Sequence, residues 1–354
     1  MSRGPVGAMV SSGRNEAVKA AVKSASAAGA LALVAVVLAQ SGAAAEAGAT
    51  AAVTTAATGT PATETPQPSA TPSPSASASA SSGASPSPSP SATSPVRIRT
   101  FAYGPHVRQR MDVWWHTDGP RRPAVFVIHG GWWSGGDKKY ETSVSRSYAQ
   151  LGYTVVNIDY RLSGDAPWPA QRDDTIDAIA TVRRNAAALN TDPNRYVLLG
   201  FSAGGHIAAA VGTYGDGIPG LRGVAGISPV VSPLTAYADG ALGVGDAEQR
   251  KLRKAAIALA GGCLPTRCPK IWASMEPAYH VTSRDAPMFT VHSDDEFVPP
   301  YESELLKQAL AEVGVPMTVK TVPGRQHSAP VYRERGVART VQSWIAARLA
   351  PATP

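Results

Sequence analysis

From residue 96 onward, short apolar runs alternate with longer stretches of helical periodicity, and this alternation constrains the fold more than any other feature. Residues 124–128 and 153–158 are apolar or β-branched at almost every position. A strand tolerates that pattern only where both of its faces are covered, as in a parallel sheet flanked by helices. Residues 195–200, 224–227, 287–291 and 318–322 continue the series. Helical patterns fall between them, at 142–151, 169–189, 203–212, 301–313 and 331–349. Residues 96–103 and 107–115 alternate in polarity around Gly104-Pro105 and predict an N-terminal hairpin. The fold class that follows is α/β, a mostly parallel central sheet with helices on both faces. Residues 229–280 break the alternation and are read as an insertion or small cap, helical around 247–260.

The preceding chain has a different character. Arg3, Arg14, Lys19 and Lys23 lead into an apolar run at 27–39, followed by small residues ending in Ala45-Glu46-Ala47. Basic, apolar and small-residue regions in that order predict a secretory signal over residues 1–47. Thirteen apolar residues fall short of a membrane span of roughly 18 or more. No stable span is therefore expected after cleavage, with an uncleaved N-terminal anchor facing outside as the alternative. Residues 48–95 are almost wholly Ala, Ser, Thr, Pro and Gly, with Glu64 the only charge. Such a segment cannot bury enough apolar surface to offset its ordering entropy and reads as a disordered linker. One domain over 96–354 remains.

Outside the cell Cys263 and Cys268 can oxidise, and the four residues between them form a small loop. Two cysteines without neighbouring histidines fall short of the usual four metal ligands, so a disulfide is the expectation. The net charge is +7, and the four basic and three acidic residues of the first 95 leave +6 to the domain. The basic residues are scattered apart from Arg250-Lys251-Leu252-Arg253-Lys254, which reads as a solvated helix face and not a nucleic-acid surface.

In Gly200-Phe201-Ser202-Ala203-Gly204-Gly205-His206 a buried strand ends and an alanine-rich helix begins with G-x-S-x-G spacing. The chemistry calls for that arrangement, because a serine on a sharp strand-to-helix turn has its hydroxyl exposed above the sheet edge. The Ala203 amide, in the first turn of the helix, lacks an intrahelical partner and is free to donate to an oxyanion. His129-Gly130-Gly131-Trp132-Trp133 follows the 124–128 strand, where glycine lets further N–H groups turn toward a substrate oxygen.

A serine hydroxyl needs an imidazole to take its proton, and the imidazole needs a carboxylate to fix its tautomer. With this elbow the chain order is serine, acid, histidine. Of the seven histidines only His327 lies in the loop after the last strand, which makes it the base; His280 and His292 read as structural. For the acid, the loop after His292 offers Asp294, Asp295 and Glu296; Asp295 is the choice and Asp294 its rival.

Together, His129-Gly130-Gly131, Asp159-Tyr160-Arg161-Leu162, Trp168-Pro169-Ala170-Gln171 with Asp173-Asp174, residues 200–206, residues 295–299 and residues 324–327 resemble the esterase/lipase group of the α/β-hydrolase superfamily. The nearest likeness is to its hormone-sensitive-lipase-like and bacterial feruloyl-esterase-like (BD-FAE) families. The resemblance implies an α/β-hydrolase fold and a hydrolase without cofactor or metal that works through an acyl-serine. It carries over Ser202, Asp295 and His327 as triad, and the amides of Gly131, Trp132 and Ala203 as oxyanion hole. Many relatives have a third glycine where this chain has Trp132, whose bulk is expected to narrow the acyl side of the pocket. Asp174 resembles a carboxylate supporting the site, although helix capping explains it equally well.

The expected substrate is a small-molecule or polymer-borne ester, with no nucleic-acid partner and no stable membrane span after signal cleavage. A formamidase-type amidase, a secreted serine peptidase and a non-catalytic binding protein on a hydrolase fold are the alternatives. Trp132, Trp133 and Trp168 are candidates to line an aromatic-friendly pocket or, equally, to pack helix against sheet.

Overall fold

A computed structural model describes residues 96–351, except 244. The expected signal and linker, residues 1–95, lie outside the described residues. Among the described residues eight strands form one sheet: β1 (Arg97–Ala102), β2 (Arg110–Trp115), β3 (Arg122–Ile128), β4 (Thr154–Ile158), β5 (Thr191–Phe201), β6 (Leu221–Ile227), β7 (Met288–Ser293) and β8 (Met317–Val322). Their spatial order is β1-β2-β4-β3-β5-β6-β7-β8. The β1–β2 and β2–β4 pairs are antiparallel, and every other pair is parallel. This mostly parallel sheet, clad with helices, is the expected α/β architecture.

The apolar run in β3 has its cause in the two faces of the sheet. Phe126 and Ile128 pack into one cluster with Ile179, Ile207 and Val211, whereas Val125 and Val127 join Tyr148, Val341 and Ile345 on the other side. The first face carries α2 (Ala170–Arg184) and α3 (Ala203–Gly212); the second carries α1 (Thr142–Gln150) and α9 (Val337–Leu349). Alternate side chains thus enter different cores, and neither face has room for a polar residue.

The insertion supplies α4 (Pro233–Asp239), α5 (Ala247–Leu259) and α6 (Pro269–Ser274), and its Trp272 and Met275 are buried with the first core. Asp246 and Gln249 form a reciprocal capping box that starts α5 where periodicity predicts it. Cys263 and Cys268 are joined by a disulfide with Cα atoms 5.9 Å apart. Helix α7 (Tyr301–Glu312) leads to β8. The C-terminal helical pattern is two helices, α8 (Ala329–Arg333) and α9, because Gly336 takes a left-handed conformation between them. Among the described residues no helix is long and apolar enough to cross a membrane.

Candidate active site

The loops that matter leave the carboxyl ends of parallel strands β3, β5, β7 and β8, the edge where open α/β sheets bind ligands. Register brings two of them together, since Ile128 of β3 pairs with Gly200 of β5. Ser202 follows β5 with φ 51° and ψ −118°, a strained geometry for a non-glycine residue. The turn closes only because its neighbours lack side chains: a Cβ on Gly200 would lie 2.3 Å from the Gly204 carbonyl oxygen, and one on Gly204 would lie 2.3 Å from that of Ile128. The serine is only partly buried, although residues 196–201 of β5 just before it are wholly so.

His327 Nε2 lies 2.8 Å from Ser202 Oγ. The other ring nitrogen, Nδ1, faces Glu296 Oε2 at 2.5 Å. The carboxylate that orients His327 is therefore Glu296, and the expectation of Asp295, or of its rival Asp294, is corrected. Asp295 projects into solvent, about three-quarters exposed, 3.5 Å from Arg325. Asp294 accepts the Gly324 N–H, and the Asp295 N–H donates to the Gly324 carbonyl. The two aspartates pin the β7 loop to the β8 loop, and Glu296 is the first acidic residue to turn inward. Burial pushes its pKa up, but hydrogen bonds from His292 and His327 outweigh this and hold it below the usual carboxylate range.

The His129 loop lies directly against the serine: a Cβ on Gly130 would meet the Phe201 carbonyl oxygen at 2.9 Å and Ser202 Cβ at 3.1 Å. Gly131, Trp132 and Trp133 all have positive φ, while the Ser134 and Gly135 amides close a turn onto the Gly131 carbonyl. The Gly131 and Trp132 N–H groups have no hydrogen-bond acceptor among the described residues. Runs of such backbone gather N–H groups into an anion-binding concavity. His129 is buried: its Nδ1 lies 2.7 Å from the Gly130 carbonyl, and its ring stacks on Tyr160.

The three tryptophans separate by role. Trp133 is fully buried, its indole N–H bonded to His206 Nδ1, and Trp168 is buried against the same imidazole. His206 Nε2 lies 2.7 Å from the Met275 carbonyl, and burial pushes its pKa down to about 4. It is thus a neutral post joining α3, the His129 loop and the insertion. Only Trp132 borders the site, stacked on Phe297 with ring centroids 5.3 Å apart. Phe297 in turn lies 4.3 Å from the His327 ring, and Lys251 of α5 sits 4.4 Å from the Trp132 centroid. The basic run on α5 therefore reaches the rim of the site, beyond its reading as a solvated face. Asp174 is no helix cap. It is fully buried within α2 and receives hydrogen bonds from the Arg161 backbone, the Arg161 side chain and Gln109, fixing the loop after β4.

Kinship agrees with this geometry. The BD-FAE family model matches residues 111–222, which include Ser202 and the His129 loop but neither Glu296 nor His327. Esterase LipQ of Mycobacterium tuberculosis (strain ATCC 25618 / H37Rv) is 28% identical over 265 residues, 69% of this chain and 60% of LipQ. Carboxylesterase NlhH of the same strain is 42% identical over 90 residues, 25% of this chain and 28% of NlhH. The chain thus spans less than two thirds of the length of these relatives. A truncated carbohydrate esterase from gut microbiota superposes with a TM-score of 0.60 at 24% identity, over 74% of this chain and 98% of that one. Esterase B from Lactobacillus rhamnosis (HN001) does so with 0.60 at 20% identity, over 72% and 85%. The chain has the α/β-hydrolase fold, and in sequence it is similar to esterases of that superfamily.

Proposed function

We propose that the protein hydrolyses small or medium carboxylic esters through an acyl intermediate on Ser202. The observation that carries this reading is the hydrogen-bonded line from Ser202 Oγ through His327 to Glu296. An ionised Glu296 can only accept, so His327 Nδ1 carries a proton and Nε2 is left to accept the serine hydroxyl. As Oγ bonds to the ester carbonyl carbon, its proton passes to Nε2. The imidazolium is stabilised by Glu296, and the carbonyl oxygen takes up negative charge before the amides of Gly131, Trp132 and Ala203. His327 then returns the proton to the departing alcohol oxygen, and a water repeats the sequence to release the acid.

The names of LipQ and NlhH as esterase and carboxylesterase support an ester substrate. The carbohydrate-esterase relative makes sugar-borne esters part of the range to be tested. Trp132, backed by Phe297, walls one side of the site and favours short acyl groups. Action outside the cytoplasm is part of the proposal, supported by the leader and by the Cys263–Cys268 disulfide.

The test compares the full chain with its Ser202→Ala variant on p-nitrophenyl esters from acetate to palmitate, methyl ferulate, acetylated xylan and N-formylkynurenine. Ser202-dependent turnover of the short esters is expected, with circular dichroism unchanged by the substitution. Wild-type activity in Ser202→Ala overturns the reading, and turnover of the formamide alone replaces it with an amidase.

A further inference from the structure

Glu296 has a second imidazole on its other oxygen. His292, the fifth residue of β7, is fully buried, and its Nδ1 lies 3.1 Å from Glu296 Oε1. The Ser293 N–H donates to the same oxygen at 3.0 Å. His292 Nε2 lies 2.8 Å from the hydroxyl of Ser303, a fully buried residue on α7. The hydrogen-bonded line thus extends beyond the carboxylate to five side chains: Ser202, His327, Glu296, His292 and Ser303.

The chemistry of the carboxylate fixes the Nδ1 protons in that line. An ionised Glu296 offers only acceptors, so Nδ1 of His292 must be a donor. In the neutral ring Nε2 is then an acceptor, and the Ser303 hydroxyl donates to it. Two imidazoles in the same tautomer therefore hold one carboxylate, each through Nδ1–H. We propose that His292 is a positioning residue for the hydrolysis, locked by Ser303, and that it fixes the carboxylate that orients His327. This rests on the serine-hydrolase reading of Ser202.

The physical need for such a tether lies in the residue type. A glutamate reaches His327 through one more rotatable bond than an aspartate, and a carboxylate held at one oxygen only is free to swing about its terminal torsion. With Oε1 fixed by His292 and Ser293, Oε2 has a single direction, and displacement of a supporting group by about 1 Å can cost about 100-fold in rate.

The experiment measures kcat and KM for p-nitrophenyl acetate on the full chain, with Ser202→Ala run alongside. Asparagine places its amide nitrogen where Nδ1 stands, one bond beyond Cγ, whereas glutamine carries its own one bond further. We expect His292→Ala and His292→Gln to lose about 30- to 100-fold in kcat with KM within about threefold, in line with a misoriented base. His292→Asn is expected to recover most of that loss. Ser303→Ala, which frees the ring but keeps its donor, is expected to lose about three- to tenfold.

Should the alanine variant not fold, the Asn–Gln pair and Ser303→Ala carry the test. A kcat for His292→Ala within about twofold of wild type, or Asn no better than Gln, overturns the positioning role. Wild-type kcat in Ser303→Ala overturns the lock. Those results leave the esterase reading standing, because Ser202→Ala still abolishes turnover. Activity that does not depend on Ser202 overturns both.

Discussion

Glu296 Oε2 and His327 Nδ1 meet at 2.5 Å in a place where the carboxylate is buried and the imidazole still has an edge toward solvent. Their pairing divides the work of three consecutive acidic residues. Glu296→Gln keeps the shape but offers His327 an amide, which favours the wrong tautomer. A loss of about 10³- to 10⁴-fold in kcat is expected for p-nitrophenyl acetate. Asp295→Asn touches only an exposed pair with Arg325, and Asp294→Asn a loop contact, so each should stay within about threefold.

Trp132 holds a left-handed backbone, at φ 60°, and a stack on Phe297. Trp132→Gly relaxes the backbone and empties the wall. The ratio of kcat/KM for p-nitrophenyl octanoate over acetate should rise by about tenfold or more, the scale of a few methylenes gaining room in an apolar pocket. An unchanged ratio in the substrate series would place the acyl chain elsewhere.

Among the buried groups that make stability vary with pH, His206 and Glu276 act with opposite sign. His206 has a folded pKa of about 4 against 6.5 unfolded, so the unfolded chain binds the extra proton and stability rises with pH between these values. Glu276, which accepts the Leu234 N–H, is pushed up to about 8 by burial from 4.5, so the folded chain holds the extra proton and stability falls as pH rises toward 8. The two slopes oppose each other from about 4.5 to 6.5, and above that Glu276 acts without His206. Denaturant unfolding should show a decline from pH 6.5 to 8 in the wild type that is shallower in Glu276→Gln, by about 1 to 2 kcal/mol over the interval.

The Cys263–Cys268 loop lies in the insertion, where the Trp272 indole N–H also bonds the Cys263 carbonyl. Replacing both cysteines by serine should lower stability by about 2 kcal/mol, as chain-entropy arguments give for so short a loop. Thermal unfolding with and without reductant reads this directly. Because no hydrogen bond among the described residues links the loop to Ser202, His327 or Glu296, kcat for p-nitrophenyl acetate should stay within about twofold.

Most of the scaffold was legible because burial on two faces leaves a plain mark: each of the eight strands follows from an apolar run or an alternating one, and the G-x-S-x-G turn from its glycines. The acid was not. Asp294, Asp295 and Glu296 stand side by side in a loop without periodicity, and which one turns inward is decided by the pairing of the β7 and β8 loops through Gly324. A usable signal was His292 four residues before Glu296, a pair that meets in space. Trp133 and Trp168 were equally ambiguous, since an aromatic beside a glycine turn or between two prolines reads alike whether it faces a pocket or, as here, the buried His206. The break before α9 was signalled by Gly336 within an otherwise continuous helical pattern.

The most direct test of the Ser202–His327–Glu296 account is titration of the full chain with a fluorophosphonate, following p-nitrophenyl acetate hydrolysis and the mapped mass of the adduct together. The account predicts that activity falls in proportion to adduct and reaches zero at one adduct per chain, on Ser202. Full activity with Ser202 fully modified, or complete loss with the adduct on another residue, would contradict it.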